Sequence, residues 1–413
     1  MGINNQHTFK EIPLNSAYPL LNDDKPLALN QGIRHVSLHQ FRNYQSLNLE
    51  VGQGPIVLTG PNGAGKTNIL EAISLFCPGR GLRGAKLNEI TPQGYPQQPG
   101  LLWGTSLRLD DETQLATGLE KTPQGTEKRL YKLHYQPIRN QAPFAEWLNI
   151  IWLTPETDRI FLESPSVRRK FIDRLIYAED PLHAERLTRY EQALKERLMV
   201  LRNQGDAAWL SALEEQLSSY GVAIAVARQQ LMNKLNQIGN RPNLFPSFIT
   251  RMVGEVDDWV QEKSATEVEA HAKQVLHQNR RYDQESGTTK FGPHRSDWQV
   301  IHQAKNITAD QASTGEQKIL LIAVIMAFIH HKICFDPRLT ILLLDDIIAH
   351  LDFHHRMVLF EQLAVLHSQS SLRQPSLKGH LQSWLTGTDP LLFESLIGKA
   401  QFFMVEQATV TPG

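Results

Sequence analysis

Cysteine is nearly absent. The chain has two, Cys77 and Cys334, among 413 residues. They lie far apart, which excludes a disulfide framework and argues for a reducing compartment. There is no long apolar run either. The longest, Ile319 to Ile329, ends in His330-His331-Lys332 and is too short to span a bilayer. The first residues, Met1 to Asp24, are polar and lack the basic-then-apolar pattern of an export leader. A cytoplasmic protein with no membrane segment is therefore expected. Charge of one sign is also missing. Lys plus Arg number 42 against 43 Asp plus Glu, a formal charge of −1. Nucleic-acid binders are usually basic overall, so any DNA contact must come from local patches. The sixteen histidines show no zinc-type spacing, and no internal repeat is present.

What is present is a core and a phosphate loop. Apolar residues make up 41% of the chain, and its length suggests two or three domains. Gly60-Pro61-Asn62-Gly63-Ala64-Gly65-Lys66-Thr67 fits the pattern G-x-x-x-x-G-K-[ST] without a mismatch. An apolar run, Pro55 to Thr59, precedes it, and a helical pattern, Asn68 to Phe76, follows it. In that strand–loop–helix setting, glycines let backbone N–H groups wrap phosphate oxygens at a helix N-terminus. Lys66 would reach the β- and γ-phosphates of ATP, and the Thr67 hydroxyl would sit on Mg²⁺.

Far downstream, Leu339 to Leu344 is a continuous apolar run ending in Asp345-Asp346. Such a run reads as a strand buried on both faces. Asp345 at its end is suited to Mg²⁺, and Asp346 to acting as general base on the attacking water. Between these anchors, Ser313-Thr314-Gly315-Glu316 opens a long apolar helix pattern. Alone this is an ordinary N-cap. In the order loop, signature, acidic strand, the three segments resemble an ABC-type ATPase. The signature is closer to S-x-G-[EQ] than to LSGGQ, with Ala312 in place of the usual leucine and Glu316 of the usual glutamine.

More segments narrow the resemblance. They are Phe41-Arg42-Asn43-Tyr44; GPNGAGKTNILEAISLFCPGRGLR from Gly60; WLTPETDRIFLESPSVRRKFIDRL from Trp152; RYEQALKERLMVLRN; FGPHRSDW from Phe291; DDIIAHLD after the acidic strand; and WLTGTD from Trp384. This set resembles the RecF family of bacterial recombination mediators from about Ile33 onward. The resemblance implies a weak, DNA-stimulated ATPase. ATP would close a two-fold homodimer in which Ser313 and Gly315 of one protomer cap the nucleotide held by the other, and hydrolysis would release it. It implies a DNA target at single-strand gaps and ssDNA/dsDNA junctions, and the partners RecO and RecR in loading RecA recombinase.

The resemblance also places further residues. Arg42 stands where related ATPases contact nucleotide, and Asn68 follows the loop. Asp352 lies in the D-loop segment that crosses the dimer interface. Thr386 occupies the place of a transporter's switch histidine, and Glu156 that of a glutamine near metal or water. For DNA, Arg80, Arg83 and Lys86 form a glycine-loosened basic loop, and Arg168 and Arg169 head a helical arm. Each of these cations also has a bland reading, as a solvated face or an internal ion pair.

The expected fold is α/β: an ABC-type ATPase head with an antiparallel β layer and an inserted helical arm. Residues 1–31 read as a polar extension. Residues 32–154 form the first part of the ATPase lobe, with alternating strands at Leu101–Leu109 and Arg129–Tyr135. Residues 155–289 form a helical lobe with a hairpin, its apolar stripes running from Tyr190 to Leu201 and from Trp209 to Ile224. Residues 290–413 return to the ATPase lobe, with a polar surface loop expected over 366–380. Two other readings are weaker. A transporter's nucleotide-binding subunit would have a shorter segment between Lys66 and Ser313. An SMC-like chromosome organiser would need heptads over hundreds of residues.

Overall fold

The structure, a computed structural model, describes residues 32–92, 99–239, 245–371 and 380–413. The extension expected over 1–31 lies outside the described residues.

The central sheet is built from strands gathered along the whole chain. They are β3 (Ile56–Thr59), β8 (Leu148–Leu153), β12 (Leu339–Leu344), β13 (His380–Gly387), β14 (Gln401–Glu406) and β15 (Thr409–Pro412), in the order β15-β14-β3-β13-β12-β8. All neighbours run parallel except β14 and β15. Every residue of β3, β8, β12 and β13 is buried. The two-residue period of a strand sends alternate side chains to opposite faces. Val57, Ile151, Leu153, Leu342 and Leu344 join one core. Ile56, Leu58, Ile150, Trp152, Ile341 and Leu343 join another.

The second core lies against an antiparallel sheet. That sheet contains β1 (Ile33–Phe41), β2 (Tyr44–Glu50), β4 (Gly100–Leu109), β5 (Gln114–Lys121), β6 (Glu127–Leu133) and β7 (Gln136–Pro137), in the order β2-β1-β4-β5-β6-β7. The core between the two sheets also takes Ile69, Leu70 and Ile73 of α1 (Lys66–Ser74).

The first core is covered by α2 (Pro165–Tyr177), the later turns of α4 (Ala207–Gly239), α8 (Thr314–Phe335) and α9 (Phe353–Ser371). Helices α3 (His183–Arg202), α5 (Glu255–Glu262) and α6 (Ala265–Gln278) form a third core with the earlier turns of α4, and α7 (Arg280–Ser286) lies against α3 and α6. The hairpin α3–α4 matches the two apolar stripes. Helix α4 runs well past the expected end at Ile224, and Leu231, Met232, Leu235 and Ile238 dock it on α8 and the central core. Helix α8 is long and apolar enough to cross a membrane, yet most of it is buried inside the fold.

The lobe boundary expected at 289/290 falls inside a small sheet. β10 (Asp297–His302) pairs antiparallel with β9 (Phe248–Val253) and with β11 (Ile307–Thr308). The lobe is therefore not purely helical. Its sheet binds the GPHR segment back to the helices, because a strand's partner need not be near it in sequence. The surface loop expected over 366–380 also differs. Helix α9 continues to Ser371, and residues 372–379 lie outside the described residues.

Candidate active site

The phosphate loop leaves the end of β3 and turns into α1. Gly60, Gly63 and Gly65 have φ of +145°, +79° and +121°, a region that L side chains rarely adopt. A Cβ at Gly60 would lie 2.1 Å from the Val405 carbonyl oxygen on β14. One at Gly65 would lie 2.5 Å from the Tyr44 hydroxyl. No side chain caps α1, and its first turn carries no acidic residue, so those N–H groups are left for an anion. Lys66 lies in the loop's curve and donates to the carbonyls of Gly60 at 2.7 Å and Pro61 at 2.9 Å. Burial lowers its pKa, while Asp346 and Asp345 oppose the shift. Asn43 props the loop from outside, donating to the Ala64 carbonyl at 3.0 Å and accepting from Asn68 at 2.7 Å.

A cleft of about 450 Å³ opens over this loop, walled by Arg42, Asn62, Lys66, Thr67, Arg83 and Asp346 among others. The Thr67 hydroxyl donates to Asp345 Oδ1 at 2.8 Å, joining α1 to the end of β12. The Thr386 hydroxyl donates to the same oxygen at 2.9 Å and accepts from the Asp346 N–H at 2.9 Å. Burial raises the Asp345 pKa and the neighbouring Asp346 adds to this, while the bonds from Thr67 and Thr386 oppose it. Asp346 has φ +53°. Its Oδ1 is buried and has no hydrogen-bond partner among the described residues. A hydroxyl, a carboxylate and an orphaned carboxylate oxygen beside a phosphate loop are hard oxygen donors, and they fit a Mg²⁺-bound nucleotide.

Several expected residues sit elsewhere. Thr386 is fully buried and braces the two acids from behind rather than opening to the cleft, because both its donor and an acceptor position are used. Ser313, Gly315, Asp352 and Glu156 do not line the cleft. Ser313 forms a reciprocal cap with Glu316 at the start of α8. A Cβ at Gly315 would meet nothing within 4 Å, so its face is open. Asp352 is exposed and accepts from His355.

The basic residues read as DNA contacts divide. Arg80 and Lys86 are exposed. Arg83 folds back onto the cleft wall, where it meets Asn68 at 2.7 Å and Glu71 at 3.2 Å. The loop turns this way because the Leu82 N–H bonds the Ser74 hydroxyl at 2.7 Å. Arg168 is held by Asp297 in a two-pronged pair at 2.7 and 2.6 Å, and Arg169 donates to the Ser296 carbonyl at 2.6 Å. Both guanidiniums are thus used in tying α2 to β10 and the turn before it. Sequence reasoning passed over Glu71, whose place on the second turn of α1 was the available signal.

Residues 56–374 match a family profile described as "AAA domain, putative AbiEii toxin, Type IV TA system". A protein of Mesorhizobium japonicum named DNA replication and repair protein RecF is 37% identical over 92% of this chain and 97% of its own length. The Agrobacterium fabrum protein of the same name is 35% identical over 92% and 98%. The chain belongs to the RecF family. The fold agrees: a solved structure titled as the recombination mediator protein RecF-ATPrS in the RecFOR pathway superposes with a TM-score of 0.75. It covers 92% of this chain and 98% of its own, at 20% identity. The RecF head here is an α/β ABC-type ATPase fold with an antiparallel layer and an inserted helical arm.

Proposed function

We propose that this RecF-family chain is a weak, DNA-stimulated ATPase of DNA replication and repair. It binds ATP with Mg²⁺, and nucleotide closes a homodimer on DNA at single-strand gaps and ssDNA/dsDNA junctions. Hydrolysis of ATP to ADP and phosphate reopens it. With partners RecO and RecR it helps load RecA recombinase. The protein acts in the cytoplasm. The observation that carries the reading is the Thr67–Asp345 hydrogen bond, 2.8 Å between residues 278 positions apart, in the wall of a phosphate-loop cleft.

The residues divide the chemistry. Backbone N–H groups of Asn62 to Thr67 cradle the phosphates, and Lys66 exchanges its two carbonyls for phosphate oxygens. Thr67 and Asp345 would hold Mg²⁺, which would supply positive charge to the phosphates. Asp346 orients a water with its free Oδ1 and accepts its proton as the water oxygen bonds to the terminal phosphorus and the bridging P–O bond breaks. Thr386 keeps both acids in register. Ser313, Gly315 and Asp352, remote from their own cleft and exposed or open, serve the partner protomer's nucleotide.

The test is fluorescence anisotropy of a gapped duplex with and without Mg-ATP at fixed salt. Binding that needs ATP and is lost in Lys66→Ala supports the reading. Binding that ignores ATP, or no binding in either state, refutes it.

A further inference from the structure

Glu71 is a charged group where helix α1 ought to carry an apolar one. Its side chain is fully buried, and a buried carboxylate needs paired, hydrogen-bonded partners. Two arginines meet it from separate loops. Arg42, in the β1–β2 turn with φ +57°, grips it through Nε at 2.8 Å and Nη2 at 2.5 Å. The remaining nitrogen, Nη1, donates to the Glu89 carbonyl at 2.8 Å, so Arg42 is fixed on every side. Arg83 comes from the glycine-loosened loop behind α1. It is held through Nη1 alone, at 3.2 Å from Glu71 and 2.7 Å from Asn68, and its side chain is 41% exposed. One carboxylate faces two guanidiniums, both of them on the cleft wall beside Lys66.

We propose that Glu71 is a positioning residue that anchors both arginines on the nucleotide cleft and, through Arg83, ties the basic loop 79–86 to nucleotide binding. Arg42 is the fixed member and Arg83 the exchangeable one. A phosphate oxygen offers Arg83 a charge-assisted bond at least as strong as its long contact with Glu71. Gly79, Gly81 and Gly84, with φ of +105°, +71° and +63°, let the loop follow. The inference rests on the ATP-binding reading above.

The experiment titrates the full chain with a fluorescent ATP analogue in Mg²⁺, using Lys66→Ala as the no-binding control. Glu71→Gln keeps the shape and removes the charge. It should raise Kd about tenfold, the scale of one lost charge-assisted contact. Hydrogen exchange in segment 78–86 should also rise, with circular dichroism unchanged. In an Arg42→Ala/Arg83→Ala background the same change should move Kd less than about twofold, because a residue that acts through others has no effect without them. A wild-type Kd in Glu71→Gln, or a further tenfold loss in the double background, would overturn the proposal while leaving ATP binding intact. If wild type fails to bind the analogue, both readings fall. If Glu71→Gln does not fold, Arg83→Gln decides: a Kd about tenfold weaker supports the anchor, and an unchanged Kd overturns it.

Discussion

The hydroxyl of Thr67 donates to the carboxylate of Asp345 at 2.8 Å, and this single bond closes the two halves of the nucleotide site on each other. Asp345→Asn keeps the shape but offers an amide in place of the anionic oxygen proposed to hold Mg²⁺. ATPase turnover should fall by about 10²–10³-fold, the usual loss for one preorganised electrostatic group. Steady-state phosphate release at saturating Mg-ATP measures it, and turnover within threefold of wild type would remove Asp345 from the metal site.

Asp346→Asn should separate binding from chemistry. The orphaned Oδ1 is kept as an acceptor, but it can no longer take a proton. The variant is expected to bind ATP and dimerise while hydrolysis drops by about 10²–10⁴-fold, the range for a lost general base. Size-exclusion chromatography with light scattering, run beside the phosphate assay, reads both.

Gly65→Ala should spare the fold and spoil the loop. At φ +121°, a methyl 2.5 Å from the Tyr44 hydroxyl forces the backbone to move. Strain of this kind costs about 1–3 kcal/mol. Nucleotide affinity should fall at least tenfold with circular dichroism unchanged, and wild-type affinity would show that the loop tolerates the shift.

Ser313→Arg tests the proposed dimer interface in trans. Ser313 caps α8 with Glu316 and lies outside its own cleft. The variant monomer should bind ATP normally and fail to dimerise. Loss of monomer binding in calorimetry would mean instead that the signature acts within one chain or through folding.

Acid should weaken the protein through two histidines. Burial lowers both His294 and His367 to about 4, whereas an unfolded histidine titrates near about 6.5. Between those values the unfolded chain binds more protons, so stability is full above the unfolded pKa and is lost as pH falls. The slope is at most about 1.4 kcal/mol per pH unit for each histidine. Urea midpoints from pH 7.5 to 4.5 measure it, and His367→Asn should flatten the curve. An unchanged slope would absolve His367, whose ring nitrogen bonds the Ser383 hydroxyl at 3.0 Å.

Much of this was legible because its signals are local. The strand, loop and helix around Lys66, the acids after β12 and the α3–α4 hairpin each follow from spacing within a few turns. What escaped reading depends on distant partners. An acid at position 71 of an amphipathic helix looks solvent-facing until Arg42 and Arg83 arrive from two other loops. Arg83 looked like part of an open basic face because nothing in sequence announces the Leu82–Ser74 bond that turns the loop inward. Arg168 had an internal ion pair as one of its two readings, but its partner, Asp297, sits 129 positions away, beyond any local pattern. The β9–β10 pairing shifted the lobe boundary for the same reason.

The order of strands in the central sheet sets a schedule for synthesis. β3, which launches the phosphate loop, is made early, yet its two neighbours are β13 and β14. The carbonyl that crowds Gly60 belongs to Val405. On the ribosome, at about 5–20 residues per second, roughly tens of seconds pass between the making of the loop and the arrival of the strands that flank it. Long-range parallel pairing of this kind also folds slowly. During that interval β3 lacks both of its strand neighbours. A nascent chain interrupted before β14 would therefore carry the complete phosphate-loop sequence without the strand whose carbonyl packs against Gly60.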